Sequence, residues 1–489
     1  MSSSGDSSGT SEASSTLSSD APVRRLRKLT GSDIVLWLLV AVLAWAPFPL
    51  GSNRPWSWSI LALLISALWL VWLAASWNQM TTVARHARTV GVPLFLAALA
   101  LVWGIVQLVP YVPTAWSHPV WSIASDGLKQ NLTATISLDP WRTEAELMKL
   151  CGYAMAGWIG YALSRDSIRA RRLYAAIIAV GVFYVLYAWL FGFLDWHQFQ
   201  IFYSAPDIGN RISAPFVNRN TLATYAGMIS LCCGLKLIEL GNRAVLLERG
   251  RRHFLLSVVE FAFGSGVAML VATVLSFSLV IATGSLGGTI ATISAIVAMV
   301  ALSLSARLRE KLDRATAITM SVLALSVIGL VVLSGSELAA RLSEVATTGS
   351  LSEELRVSLW TASERMTRDA PLLGLGLGTY EKAYPLYAQT FFPVVVDKAH
   401  NDFLELAAGW GLPAAITWLT ALGWLAWRCF RGVFVRSRDR MYPLVGFGAT
   451  VLVGVHSMFD FSLQIPAVAL LYAVLLGLGV AQSLPSLER

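Results

Sequence analysis

The sequence predicts an all-α polytopic membrane protein of about 12 transmembrane helices, with one long outer loop that contains short helices. Three observations carry this. The chain of 489 residues is 56% hydrophobic and only 13% charged, too little charge to cover a soluble domain of this size. Apolar runs long enough to cross the hydrocarbon recur from end to end. The Lys and Arg residues fall in short clusters between those runs.

Residues 1–22 are Ser-rich and almost free of apolar side chains, so they cannot bury enough surface to fold and read as a disordered tail. Arg24, Arg25, Arg27 and Lys28 follow, giving a basic end to a segment 1–32. The first apolar run reads as a signal-anchor, although Ala44-Trp45-Ala46 resembles a cleavage box. The expected spans are 33–50, 58–76, 92–110, 147–163, 173–194, 221–240, 258–282, 286–305, 316–334, 403–428, 441–459 and 465–483. The domain order is therefore the tail, helices over 33–334, a loop at 335–402 and the last helices over 403–489. With the N-terminus inside, the cytoplasmic segments hold 25 of the 37 Lys and Arg, and both termini are cytoplasmic. The net charge of +8 thus reflects membrane orientation, and no nucleic-acid partner is expected.

Cys151, Cys232, Cys233 and Cys429 lie in or beside apolar runs without metal-ligand spacing and read as small packing residues. The loop at 335–402 is too long to be a simple connection and is not low-complexity. Leu355, Leu359, Ala362 and Met366 give it an amphipathic helix over 352–370, which Asp369-Ala370-Pro371 ends.

The outer segments hold few cations for their length. Arg211, Arg356 and His400 come from three separate segments, all on one membrane face. A guanidinium fork suits a phosphate or diphosphate, and an imidazole can take or give a proton near neutral pH. The plainer alternatives are a lipid-headgroup anchor for each Arg and a helix N-cap at Asn401 or Asp402. Lys382 and Lys398 share the loop and are expected to be dispensable. Gly374, Gly376 and Gly378 do not follow a strand, so they point to tight turns or close packing rather than a dinucleotide site. His456 and Asp460 share one helix face near the outer surface. No HExxH or paired-carboxylate spacing appears, so neither metal nor other cofactor is expected.

The stretch from Arg356 to Pro413 resembles the O-antigen ligase and O-antigen polymerase superfamily. The likeness runs through Arg356, Trp360, Asp369, Pro371, the three glycines, Tyr380, Ala399-His400-Asn401-Asp402-Phe403 and Gly411. Arg211 with Asn218-Arg219-Asn220, and His456-Ser457-Met458-Phe459-Asp460, resemble two further elements of that family. The resemblance implies a metal-independent inverting glycosyltransferase of the bacterial inner membrane, with 335–402 as its periplasmic loop. Its donor would be an undecaprenyl-diphosphate-linked glycan and its acceptor a hydroxyl of lipid A-core or of a growing polysaccharide. Arg211, Arg356 and His400 would be catalytic. Asn218, Arg219, Asn220, Tyr380, Asn401, Asp402, His456 and Asp460 would bind substrate. Two positions depart from the family pattern. Leu286 stands where an Arg is usual, and Gly409 where a Glu is usual, with Glu405 one turn earlier as the candidate substitute. A protein O-oligosaccharyltransferase shares the donor chemistry. A polysaccharide flippase or exporter would need intramembrane charges along a path, and the span interiors show almost none.

Overall fold

The computed structural model describes residues 30–194, 212–246, 264–308, 351–390, 392, 395–436 and 439–484. The expected tail, the span at 316–334 and Arg211 lie outside the described residues. Among those described, every regular element is helical. In chain order the α-helices are α1 (Gly31–Trp45), α2 (Pro55–Ser76), α3 (Met80–Thr89), α4 (Gly91–Val106), α5 (Val120–Leu128) and α6 (Pro140–Ser164). Next come α7 (Ser167–Phe193), α8 (Arg219–Leu246), α9 (Ser265–Ala282), α10 (Leu286–Leu308) and α11 (Leu351–Asp369). The chain ends with α12 (Tyr380–Tyr387), α13 (Asp402–Trp410), α14 (Leu412–Val435), α15 (Met441–His456) and α16 (Pro466–Ser483).

Six stretches among the described residues are long and apolar enough to cross a membrane: α2 with α3, α7, α8, α9, α10 and α16. Helices α1, α4 and α15 are apolar but shorter. Helix α16 is the hub, packing on α6, α14 and α15 and buried along nearly its whole length. Small residues allow this closeness. A Cβ on Gly477 would lie 2.3 Å from the Gly157 carbonyl of α6, and one on Gly479 would lie 3.0 Å from Cys429 Sγ. Cys232, Cys233 and Cys429 are buried free thiols in this packing, while Cys151 is half-buried.

The run expected as one span at 403–428 is instead two helices, α13 and α14. They are parted at Gly411, which has φ +78°. Pro413 opens α14, where its missing N–H is not needed. The Leu412 N–H, orphaned by the break, donates to Pro371 O at 2.8 Å. The break is thus where the loop docks.

The amphipathic helix of the loop is α11, one residue from its expected bounds at each end. Leu359, Ala362 and Met366 are buried in a small second core with Tyr380, Ala383, Tyr384, Ala399 and Ala408. The glycine run ties this core to the bundle. Leu375 N and Gly376 N donate to the Ala408 and Gly409 carbonyls, and Leu138 N donates to Leu375 O, each at 2.9 Å. Gly376 has φ +106°, and a Cβ there would sit 2.8 Å from Ser137 Cα, so no side chain fits. Gln107, fully buried just beyond α4, fastens the seam. Its Nε2 donates to Leu373 O (2.7 Å) and Gly409 O (2.9 Å), and its Oε1 accepts from Leu377 N (3.2 Å).

Candidate functional site

The candidate site forms at one end of the bundle, where α15 ends and α8, α13 and α16 begin. The loop crosses there and delivers His400 to the edge of this cluster. His400 has φ +50°, a left-handed conformation, so the chain turns sharply just before α13. Asn401 is the N-cap of α13. Its Oδ1 accepts from Phe403 N and Leu404 N, both at 3.1 Å, and its Nδ2 donates to Met458 O at 3.1 Å. The capping alternative raised by the sequence therefore belongs to Asn401 and leaves the His400 imidazole uncommitted to a cap.

The imidazole packs edge-on against Phe461, with ring centres 4.9 Å apart. His400 Nδ1 lies 3.3 Å from Asp460 Oδ1, short of hydrogen-bond alignment. The His400 side chain is 30% exposed and that of Asp460 2%, so the pair runs from the surface into the bundle. Burial alone would push the Asp460 carboxyl up. Its interactions with His400, the neighbouring His456 and the Phe461 N–H outweigh burial and hold it below the ordinary 3.8. Asp460 is therefore ionised at neutral pH and disposed to hold the His400 ring with Nδ1 protonated and Nε2 outward.

His456 is fully buried one turn before Asp460. Its Nδ1 meets Thr224 Oγ1 of α8 at 2.8 Å and Ser462 Oγ at 3.0 Å. A Cβ on Gly287, in the first turn of α10, would lie 3.3 Å from its Cδ2. The departure at Leu286 therefore falls in a helix start that abuts His456. Arg356 is exposed on α11, close enough for its charge to bear on the His456 imidazole. Asn218 Oδ1 accepts from Asn220 N at 2.8 Å, and the Asn220 carbonyl accepts from Thr224 Oγ1 at 3.1 Å. Asn218, Arg219 and Asn220 thus form the entry to α8 and join His456 through Thr224. Tyr380 is placed elsewhere, in the small loop core, with its hydroxyl donating to Leu359 O at 3.1 Å.

Beside His400 lies a polar layer that joins Asp402 and Glu405 to Ser457, Gln464 and Lys398. Asp402 is buried. Its Oδ2 accepts from Ser457 Oγ (2.7 Å), its Oδ1 from Gln464 Nε2 (2.9 Å), and its N–H donates to Ser457 O (2.9 Å). Burial pushes its carboxyl up to about 7, against the pull of the Gln464 and Ser457 hydrogen bonds. Because the folded value lies above the ordinary 3.8, folding favours the protonated acid. That stabilisation is complete below pH 3.8 and is lost as pH rises through about 7. Asp402→Asn is expected to keep the neutral hydrogen-bonding shape and to flatten the fall in melting temperature over this range. A thermal-unfolding series against pH measures it; an unchanged slope would remove Asp402 as its source.

Glu405 is the second element of this layer. Its Oε2 accepts from Ala399 N at 2.9 Å and its Oε1 from Lys398 Nζ at 3.4 Å, so it clamps the two residues that precede His400. Gly409, where the family pattern has Glu, lies tight against the glycine run, so a side chain there would crowd its backbone. Its Cβ would meet the Gly376 carbonyl at 3.0 Å. Glu405, one turn earlier, is itself buried. Lys398 also donates to Gln464 Oε1. Burial lowers its affinity for a proton, but Glu405, Glu146 and Asp397 together raise it, so it stays charged. These contacts argue against Lys398 being dispensable. Lys398→Ala would leave Glu405 buried and uncompensated, a loss of about 3 kcal/mol for a pair broken on one side. Activity should fall with it. The exposed Lys382, beside Glu381, remains the inert control. Parallel melting curves and turnover of the two variants decide the point, and equal behaviour would contradict it.

Among the described residues no three His, Cys, Asp or Glu converge as a metal site. Thr224, Ser457, Ser462 and Gln464 carry no catalytic signature in sequence. Gln107 did carry a signal, as a lone amide in an apolar run.

Residues 271–419 match the family model described as O-antigen ligase. The match takes in α9 from Val271 onward, α10, Arg356, the glycine run and His400, and it stops before His456 and Asp460. No curated protein matches the chain. Over these residues the chain is similar to the O-antigen ligase family, and its several long apolar helices are those of a multi-pass membrane protein.

Proposed function

We propose that the chain is a glycosyltransferase that moves a glycan from undecaprenyl diphosphate to an acceptor hydroxyl of lipid A-core or a growing polysaccharide. The reaction would take place at the periplasmic face of the inner membrane. The observation that carries this is the His400 imidazole, backed by ionised Asp460 on one end of the bundle, with the Arg356 guanidinium acting on the same end. In this reading about 12 spans cross the membrane, the loop 335–402 is periplasmic and both termini are cytoplasmic, as the Lys and Arg asymmetry supports.

The acceptor oxygen attacks the sugar C1 as the C1–O bond to the diphosphate breaks, with inversion. His400 Nε2 takes the acceptor proton, and Asp460 stabilises the imidazolium that forms. Arg356 and Arg211 meet the diphosphate, whose charge grows as it leaves. Fixed guanidinium groups therefore bind the transition state more tightly than the ground state. The docked loop excludes water, which would otherwise hydrolyse the donor. His456, Asn218, Arg219 and Asn220 would line the donor side, and Asn401 and Asp402 would fix the His400 turn.

With Arg in the cationic role, transfer is expected to persist in excess EDTA. The assay uses purified protein with a lipid-diphosphate oligosaccharide, with and without lipid A-core. Loss of activity on chelation, restored by Mg²⁺ or Mn²⁺, would overturn the metal-free mechanism.

A further inference from the structure

At the opposite end of the bundle, a cavity of about 470 Å³ opens between α1, α2, α3, α6, α7 and α16. Helix α16 has 18 residues, so its two ends are about 27 Å apart at 1.5 Å per residue. One end borders His400 and the other this cavity, so they are separate places.

The cavity wall is basic. Arg165, Arg169, Arg436 and His86 line it, and Asp166 is the one carboxylate among the described residues of its wall. Asp166 caps α7, where it accepts from Ile168 N (2.9 Å) and Arg169 N (3.0 Å). Nearby Asp33 does not line the cavity and pairs with Arg172 at 3.1 Å. Arg165 and Arg436 are fixed in place. Their Nη1 atoms donate to Ala481 O (2.9 Å) and Leu484 O (3.1 Å) at the end of α16. Arg169 Nε is buried with no hydrogen-bond acceptor among the described residues. The rest of the wall is mixed, with Val35, Trp72 and Leu163 beside Ser76, Gln79 and Gln482.

Three guanidinium groups and an imidazole around one volume make it a basic, hydrogen-bond-donating pocket. Guanidinium forks suit phosphate oxygens, and basic pockets between membrane helices accept phospholipid headgroups. We propose that this cavity is a phosphate-binding site, filled by the phosphodiester of an anionic phospholipid whose acyl chains lie along the apolar wall. Soluble phosphate shares the headgroup chemistry and is separated by the test. The proposal stands independently of the glycan-transfer reading.

The test is native mass spectrometry of the full-length, delipidated protein titrated with phosphatidylglycerol, phosphatidylcholine or inorganic phosphate. Wild type is expected to retain phosphatidylglycerol about tenfold more tightly than phosphatidylcholine, with about tenfold lost in Arg169→Gln. Arg169→Gln leaves both tethers to α16 in place, so its fold should persist. Arg85→Gln with Arg88→Gln, two exposed cations of α3 outside the cavity, should retain lipid normally. Saturable inorganic phosphate that competes with the lipid and is lost in Arg169→Gln would assign the same site to the soluble ion. Equal retention of both lipids with no phosphate bound would overturn the proposal. So would unchanged binding in Arg169→Gln, or an equal loss in the α3 pair.

Discussion

His400→Ala and His400→Asn are both expected to lower glycan transfer by about 10²–10⁴-fold, the range for a lost general base. The two variants divide the backbone role from the imidazole role. His400 has φ +50°, where Ala is strained and Asn is tolerated. His400→Asn should therefore keep the turn, the Asn401 cap and a normal melting temperature. His400→Ala should add a modest stability loss. If the imidazole only shaped the turn, Asn would restore transfer. If it takes the acceptor proton with Asp460 behind it, Asn fails as fully as Ala. Initial rates with a lipid-linked donor, alongside thermal unfolding, separate the two. Near-normal turnover by His400→Asn would remove the proton-transfer role.

Arg356→Lys is expected to cost about 10²-fold in kcat/KM, the order found when one fixed donor to developing charge is removed. The substitution keeps a positive charge on a long stem, so a residue that merely snorkels to headgroups should tolerate it. A residue that grips two phosphate oxygens should not, because an ammonium cannot form the bidentate fork. Arg356 projects from an α11 face that is exposed, while Leu359, Ala362 and Met366 bury the other. Lys at this position therefore costs the fold little, and the kinetic loss reads the chemistry alone. Arg211→Lys should behave in the same way. If high salt abolished the difference between the Arg356 and Lys382 variants, bulk electrostatics would account for the effect and the clamp would fail.

The long apolar helices among the described residues were legible because each depends on a local property, an apolar run bounded by polar or basic residues. Helix α11 was legible for the same reason, since Leu355, Leu359, Ala362 and Met366 show its period directly. The break at Gly411 was misread as continuous because the run from Phe403 to Trp424 stays apolar. What interrupts it is a tertiary contact, the docking of Pro371 and Leu372 against the Gly411 backbone. The family-like residues His400, Asn401, Asp402, His456 and Asp460 do meet at one end of the bundle. Sequence order could not reveal that Asp460 backs His400 rather than pairing with His456 along its own helix face. Nor could it show that Glu405 and Lys398 clamp the residues before His400. Those relations cross between segments more than fifty residues apart, or depend on a turn with positive φ.

The most direct test of the central claim is to follow the C1–O bond of a lipid-diphosphate glycan with purified protein in nanodiscs and a hydroxyl acceptor. Wild type is predicted to form a new inverted glycosidic bond and to release one lipid diphosphate for each bond made. His400→Asn is predicted to form neither. Translocation of intact donor without cleavage, or equal product from wild type and His400→Asn, would contradict the account.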